Sequence, residues 1–389
     1  MARNDGPGRS WLDRLPPDIF GSDVFVDYQG TYVWQANQVG HVFIGFAATS
    51  LLTWAATALL GATPWPAAGW IAAAIVALYA VKEWIDLQIA ERQAQGLFDF
   101  DRGELRADMA ADAGFVAMGA ATAAAAFAAP DLGLAAGLAT VAAFLVIRRR
   151  FLPAKASLDR AGLPCVFRLA NFPRTEGVHL HNARRIEAFL RRRPVAGFAP
   201  PPAVLIQGYR GTGKSTLGVG IASEAAVGID PDTGACGRAL FFTAFQLLEP
   251  PAPGDLGDAE VILRRKPRAL GAGDTWSARE ADVLVIDDVD SDNPLVLGDT
   301  PERLLDTLET QRPDLLALLR AKRTVWITGS SRFALEDDPH GWTAWLAALC
   351  RLYGLTPDPD RTGDDPAAIE AREPIPVLWL RQPLRTAED

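Results

Sequence analysis

Eight consecutive residues, GYRGTGKS at 208–215, have the types and spacing needed to hold a chain of phosphates. They match the pattern G-x-x-x-x-G-K-[ST], in which glycines let the backbone turn so that successive N–H groups face phosphate oxygens. Lys214 is expected to reach the β- and γ-phosphates, and the Ser215 hydroxyl to bind Mg²⁺. The pattern therefore predicts a site for ATP with Mg²⁺. The predicted nucleotide-binding residues are Gly208, Tyr209, Arg210, Gly211, Thr212, Gly213, Lys214, Ser215 and Thr216.

The segments on either side of this loop have the order that the pattern requires. AVLIQ at 203–207 is a short apolar run typical of a buried strand, and TLGVGIASEAA after Ser215 has the composition of a helix. A helix that begins at the loop directs the positive end of its dipole towards bound phosphate. Strand, glycine-rich loop and helix together favour nucleotide binding over a chance match.

Two aspartates follow a second apolar run, VLVI at 283–286. Asp287 is predicted to hold Mg²⁺ together with Ser215, because a carboxylate at a strand end can bind the ion through water. Asp288 is predicted to orient the attacking water, as a catalytic residue beside Lys214. Its side chain is one methylene shorter than the glutamate that many such ATPases use, so hydrolysis is expected to be slow. A structural or substrate-sensing role for Asp288 stays open.

A third apolar run, TVWIT at 324–328, is followed by the sequence Gly-Ser-Ser-Arg. A polar residue after this strand is expected to contact the γ-phosphate. Ser330 is our choice for this catalytic contact, with Ser331 next and Arg332 as an alternative sensor. The other predicted elements are a strand leading into a helix at 238–248, a helix at 302–319 interrupted at Pro313, and a last strand at 376–380.

The N-terminal half contains four long apolar segments, the first of which has no Asp, Glu, Lys or Arg. About 20 apolar residues at 1.5 Å rise cover a hydrocarbon core of roughly 30 Å. We therefore predict a four-helix transmembrane region at 40–150, after a cytoplasmic tail at 1–39. The predicted spans are 40–60, 65–85, 110–129 and 132–147. Because the third segment is rich in alanine, two spans or a soluble helical bundle remain alternatives.

Basic residues indicate which side of the membrane the loops occupy. They occur in the tail, in the loop between the second and third spans and after the fourth span, whereas the two short hairpin turns have none. The positive-inside rule then places both termini and the ATP-binding half in the cytoplasm of a multi-pass inner-membrane protein, with the lipid bilayer as its partner. Acidic residues near the span ends are interpreted as solvated helix extensions, with a cation vestibule as the alternative. They are Glu83, Asp86, Asp108 and Asp112.

The segment 151–202 is predicted to connect the membrane region to the nucleotide-binding domain at 203–389. Within it, 178–193 has a helical pattern with a basic face, which suits a solvated surface, anionic lipid headgroups or nucleic acid. A net charge of -9 argues against a nucleic-acid partner. Three widely separated cysteines without CxxC spacing predict neither a zinc site nor a disulfide framework.

GYRGTGKS, VLVIDD and ITGSSR together resemble the additional-strand P-loop NTPases of the AAA+, STAND and KAP-like group, here with an N-terminal transmembrane region. The resemblance covers about 200–383. It implies an α/β domain with a mostly parallel β-sheet flanked by helices, in which the sensor strand lies between the strands that precede the loop and Asp287. Few residues follow the last strand, so no C-terminal helical lid is expected. The candidates for the family's arginine finger are Arg312, Arg320, Arg323 and Arg351, of which Arg351 is our choice.

These features predict a membrane-anchored cytoplasmic ATPase that couples ATP binding and hydrolysis to conformational change or to assembly of a membrane complex. A homo-oligomer, or a complex with a partner membrane protein, is expected. Two alternatives stay open: a slow-turnover nucleotide switch, like a STAND-type sensor or a membrane effector in bacterial defence, and a non-enzymatic anchor that recruits a partner. A transporter is disfavoured because the predicted spans hold few polar residues beyond Thr and Ser.

Overall fold

The computed structural model describes residues 30–93, 98, 102–165, 167–172, 180–208, 211–228, 235–244, 275–289, 301–329, 342–356 and 373–380. These residues form two compact units that divide between Ala156 and Ser157, with Phe98 in the second unit. The first unit is helical, and the second is built on a β-sheet.

Four apolar helices make up the first unit. They are α1 (Gly30–Leu60), α2 (Pro64–Gln93), α3 (Arg102–Ala128) and α4 (Pro130–Asp159), whose last residues belong to the second unit. Each helix is long and apolar enough to cross a membrane, which agrees with the number of predicted spans. The helices are longer than those spans because their polar ends continue the same helical backbone.

Large apolar side chains lie on the outside of these helices. Phe43 is 67% exposed, Trp70 79% and Leu134 66%. A continuous apolar surface of this kind is typical of a site covered by another apolar phase or molecule. Together with helix length, this surface indicates a membrane-associated protein.

Helices α1 and α3 pack with their backbones in direct contact. A Cβ atom added at Gly45 would lie 2.0 Å from the Val116 carbonyl oxygen, and one added at Gly119 would lie 1.9 Å from the Val42 carbonyl oxygen. Small residues allow such close approach between helices in lipid, where van der Waals packing drives association. The two glycines therefore set the distance between α1 and α3.

The second unit contains a five-stranded parallel sheet with the strand order β2-β3-β4-β1-β5. The strands are β1 (Ala203–Gly208), β2 (Ala239–Thr243), β3 (Val283–Asp287), β4 (Arg323–Gly329) and β5 (Val377–Leu380). The small parallel sheet expected from the sequence is confirmed. Strand β4 lies between β1 and β3, which is the position expected for the strand that precedes Ser330.

Helices cover both faces of this sheet. They are α5 (Leu180–Arg191), α6 (Lys214–Val227), α7 (Pro301–Gln311), α8 (Pro313–Ala321) and α9 (Trp342–Tyr353). On one face, Gly218 of α6 lies against the Ile327 side chain. On the other face, Leu284 and Trp326 join a core with buried leucines of α7, α8 and α9. The break predicted at Pro313 is confirmed, since α8 begins there with proline in its first turn.

Helix α5 is an integral part of the second unit. Its Ile186 and Phe189 side chains are fully buried. The Asn182 side-chain amide donates a hydrogen bond to the Val377 carbonyl of β5 at 2.7 Å, and the Arg185 guanidinium donates one to the Glu373 carbonyl at 2.5 Å. Burial lowers the pKa of Arg185 to about 10, although the nearby Glu373 acts in the opposite direction. The apolar face that a lipid surface would bind is thus already covered by protein.

Candidate nucleotide-binding site

The glycine-rich loop lies at the carboxyl edge of the sheet, between the end of β1 and the start of α6. Gly208 has no room for a side chain, because an added Cβ would lie 2.2 Å from the Leu380 carbonyl oxygen of β5. Gly211 and Gly213 have φ values of 82° and 86°, a region that L-residues other than glycine rarely adopt. Tyr209 and Arg210 lie outside the described residues.

The first turn of α6 carries the predicted lysine and hydroxyl groups. Gly213 is the N-cap, and among the described residues no side chain caps the helix there. The Leu217 N–H donates to the Gly213 carbonyl at 2.9 Å, which closes the first helical turn. Helix N-termini present N–H groups without intrahelical acceptors, together with a positive dipole end. In an open α/β sheet, the crevice outside the carboxyl ends of the strands is also the usual place for a ligand.

Asp287, the last residue of β3, brings a carboxylate to this helix. It is 7% exposed and accepts hydrogen bonds from the Asp288 N–H at 2.9 Å and from the Ser215 hydroxyl. Burial raises the pKa of Asp287, the two hydrogen bonds and Lys214 oppose that rise, and the negative charge of Asp288 adds to it. The structure therefore brings together three predicted site residues from two strand–helix segments, namely Lys214, Ser215 and Asp287.

Asp288 occupies a tight turn directly after β3. Its φ is 52°, a left-handed conformation that aspartate tolerates better than most residues do. The chain returns to the sheet at once, because the Val289 N–H donates to the Ile327 carbonyl of β4 at 3.1 Å. Asp288 is exposed while Asp287 is buried, so the two neighbouring carboxylates have different surroundings.

Strand β4 directly precedes the predicted γ-phosphate contact, Ser330, in the sequence. Strand β4 ends at Gly329, which is the register partner of Gly208. Ser330 follows at once but lies, with Ser331 and Arg332, outside the described residues. The strand that leads to Ser330 therefore ends beside the first glycine of the loop.

The four arginine-finger candidates all contact their own chain. Arg351 pairs with Glu309 at 2.6 Å and with Asp306 at 3.4 Å. Arg320 donates to the Leu352 carbonyl at 2.8 Å. Arg312 pairs with Asp314, and Arg323 with the Phe189 carbonyl. Arg351 has a half-exposed side chain, and its two partners lie on the exposed face of α7.

Two buried polar side chains beside the loop did not enter the sequence-based site. Gln207 and Thr328 are register partners on β1 and β4, and both are fully buried. Within the described part of the chain, the Gln207 amide and the Thr328 hydroxyl have no hydrogen-bond partner, which is costly for buried polar groups. The sequence could have indicated both residues, because each is the polar residue that ends an apolar run, AVLIQ or TVWIT.

Comparison of the chain with protein-family models and with curated proteins finds no match. The described residues also hold no cluster of three or more His, Cys, Asp or Glu side chains able to bind a metal.

Proposed function

We propose that this protein is a membrane-anchored P-loop ATPase. It binds ATP with Mg²⁺ at residues 208–216 and couples binding and hydrolysis to conformational change or to assembly of a membrane complex. The observation that carries the proposal is the hydrogen bond between the Ser215 hydroxyl and the buried Asp287 carboxylate, beside Lys214 and a loop with two left-handed glycines. Each of these groups has a separate task in holding a magnesium–triphosphate chain.

The residues divide that task by their chemistry. The loop backbone and the N-terminus of α6 bind phosphate oxygens, and Lys214 neutralises charge at the β- and γ-phosphates. Ser215 and Asp287 would hold Mg²⁺, which would neutralise charge on the phosphoryl group. Burial disfavours the ionised form of Asp287, so a cation that binds there also promotes release of any proton that the carboxylate holds. Asp288 orients the attacking water, and Ser330 contacts the γ-phosphate.

The four apolar helices anchor this ATPase as a multi-pass inner-membrane protein. The distribution of Arg and Lys favours a cytoplasmic position for both termini and for the nucleotide site. ATP is available on that side. A homo-oligomer or a partner membrane protein would receive the conformational change. Arg351 of α9 forms ion pairs with Asp306 and Glu309 of α7. It could act as an arginine finger only after these two carboxylates release it.

A second candidate function is a nucleotide switch with slow turnover. The observation that favours it is Asp288, which is one methylene shorter than glutamate and is held in a left-handed turn. A carboxylate that cannot reach the attacking water leaves ATP bound for longer. In that case ATP binding itself, rather than repeated hydrolysis, would control assembly.

Hydrolysis by the full chain in lipid nanodiscs tests the proposal. ATP binding, and phosphate release with Mg²⁺, are measured for wild type, for Asp288→Asn and for the control Asp131→Asn. Asp131 is an exposed carboxylate in the first turn of α4. We expect Asp288→Asn to keep binding and lose hydrolysis by about 10²-fold or more, while Asp131→Asn matches wild type. Unchanged hydrolysis would remove Asp288 from catalysis. Tight ATP retention with negligible release in wild type would identify the switch, and absence of ATP binding would refute both functions.

A further inference from the structure

A group of ionisable and polar side chains lies inside the helical unit. We define the membrane polar cluster as Gln38 and His41 of α1, Tyr79 and Glu83 of α2, and Asp112 of α3. Gln38 is fully buried, Glu83 is 6% exposed and His41 is 8% exposed. All five lie within the helices that are long and apolar enough to cross a membrane.

The centre of the cluster is a ring of three side chains joined by hydrogen bonds. The Gln38 amide nitrogen donates to the Asp112 carboxylate at 2.7 Å. The Nδ1 atom of His41 lies 3.3 Å from the Gln38 amide oxygen and 3.3 Å from the same Asp112 oxygen. Because both neighbours of Nδ1 are acceptors, Nδ1 carries a hydrogen in every state. The exchangeable proton of His41 is therefore the one on Nε2.

A second chain of contacts links this ring to exposed groups on α2. The His41 and Tyr79 rings meet edge to face, with centroids 5.6 Å apart. The Tyr79 hydroxyl is hydrogen bonded to Glu83, and Glu83 accepts a bond from Lys82 at 2.8 Å. Lys82 also pairs with Asp86 at 2.8 Å, and the side chains of Lys82 and Asp86 are 56% and 42% exposed. Polar groups thus extend from the buried histidine to the surface of the unit.

Other charges near the cluster are already paired. Asp108, one turn before Asp112, accepts a hydrogen bond from the Trp34 indole at 3.0 Å. Arg106 pairs with Glu91 at 2.9 Å. Among the described contacts, the carboxylate that pairs with His41 is that of Asp112, and the cation that lies over the Tyr79 ring is Lys82.

Ionised side chains are costly in the membrane interior. With Nε2 unprotonated, the His41–Asp112 pair carries one negative charge between apolar helices. Uptake of one proton on Nε2 makes the pair an imidazolium–carboxylate pair with no net charge. The α1–α3 backbones touch one turn after His41, at Gly45, and two turns after Asp112, at Gly119, so the pair is enclosed by protein on that side.

We propose that the membrane polar cluster is a proton-binding site, in which His41 Nε2 takes up one proton and Asp112 is its counter-ion. The pair changes from a charge of -1 to zero on binding, with Nδ1 and the Gln38 bridge unchanged. All of its residues lie in the helical unit, so neither the inference of this site nor its test depends on the proposed ATPase activity.

Nitrogen NMR of the full chain in lipid nanodiscs tests the proposal directly. The chain has four histidines, at 41, 179, 181 and 340, so ¹⁵N-histidine labelling gives few signals, and His41→Gln assigns one of them. Spectra are recorded from pH 8 to pH 5. In wild type we expect the His41 signal to show Nδ1 protonated throughout and Nε2 gaining a proton as the pH falls. An Nε2 state that does not change over this range would overturn the proposal.

Variants separate a proton site from a structural ion pair. In Asp112→Asn the counter-charge is absent, so we expect loss of proton uptake by His41 in that pH range. Asp131 is an exposed carboxylate at the start of α4. In the control Asp131→Asn, proton uptake by His41 should match that of wild type. Far-ultraviolet circular dichroism of each variant in nanodiscs reports whether its helices are folded. Proton uptake that persists unchanged in folded Asp112→Asn would contradict the assignment of Asp112.

Discussion

Replacing Gly211 by alanine separates backbone strain from nucleotide binding. Gly211 has a φ of 82°, and an added Cβ would meet no described atom within 4 Å. Gly197, in a turn before β1, has a φ of 87° and equally open surroundings. The two glycines therefore impose the same conformational demand, but only Gly211 belongs to the predicted phosphate loop. Gly197→Ala is a matched control for Gly211→Ala.

The expected magnitudes follow from this geometry. A left-handed conformation costs an L-residue about 1–2 kcal/mol, and the stiffer unfolded chain of alanine offsets about 0.4–1 kcal/mol of that. Each variant should therefore lower the free energy of unfolding by about 1 kcal/mol, or the melting temperature by about 2–4 °C. In wild type, Mg–ATP at 100 times its Kd should add about 2.7 kcal/mol. This corresponds to a rise of about 5–11 °C.

The assay is thermal unfolding of the full chain in nanodiscs, with and without Mg–ATP, for wild type and both variants. Without nucleotide, the two variants should melt at similar temperatures. With nucleotide, Gly197→Ala should gain as much as wild type, whereas Gly211→Ala should gain little because the loop cannot direct its N–H groups at phosphate. An equal rise in melting temperature with Mg–ATP in both variants would refute the role of the loop. Loss of that rise in Gly197→Ala would show that Gly197→Ala is not a valid control.

Two further substitutions test the buried carboxylate and the helix contact. Because burial raises the folded-state pKa of Asp287, ionisation costs stability as the pH rises above the ordinary pKa of an aspartate. Asp287→Asn should therefore melt higher than wild type at pH 8, with the difference shrinking as the pH falls towards that ordinary pKa, and it should lose the Mg–ATP gain. A lower melting temperature at pH 8 would contradict this. Gly119→Ala should destabilise the helical unit by about 1–3 kcal/mol, because the added methyl group clashes with the Val42 carbonyl. The control Gly114→Ala should not destabilise it, because no described atom lies within 4 Å of the added Cβ. Equal melting temperatures of the two variants in nanodiscs would contradict the α1–α3 contact.

The strands of the second unit were predictable because each is a short apolar run with a polar or glycine end. The run at 203–207 became β1, that at 283–286 became β3, and that at 324–328 became β4, each within one residue at either end. Parallel strands buried on both faces require such runs. Their carboxyl ends also had to share one edge of the sheet, so Ser215 and Asp287 could be expected to meet.

The helical contacts could not be predicted in the same way. The sequence places Asp112 and Glu83 near predicted span ends, where solvated charge is the common outcome, yet Glu83 is buried and Asp112 pairs with His41. That pairing depends on which helix faces which, and Gly45 and Gly119 decide it through backbone contact rather than through hydrophobic periodicity. The solvated interpretation is therefore wrong for these two acids.

Helix α5 illustrates the same limit. Its amphipathic pattern identifies an apolar face but not the surface that covers it. Arg185 counts as part of a basic face in the sequence, whereas in the structure it is 5% exposed and bonded to the Glu373 carbonyl. Only the tertiary contacts with the segment before β5 distinguish this arginine from its exposed neighbour Arg184.

Equilibrium binding of ATP to the full chain tests the central claim most directly. The measurement compares wild type, Lys214→Ala and the control Lys322→Ala, a lysine at the amino edge of the sheet that bonds to the Arg279 carbonyl. We predict that each wild-type chain binds one Mg–ATP. The affinity for ATP should fall by about 10- to 100-fold in Lys214→Ala, since a charged hydrogen bond contributes about 1.5–3 kcal/mol. It should be unchanged in Lys322→Ala. Equal ATP affinity in wild type and Lys214→Ala, or no binding by wild type, would contradict a nucleotide site at 208–216.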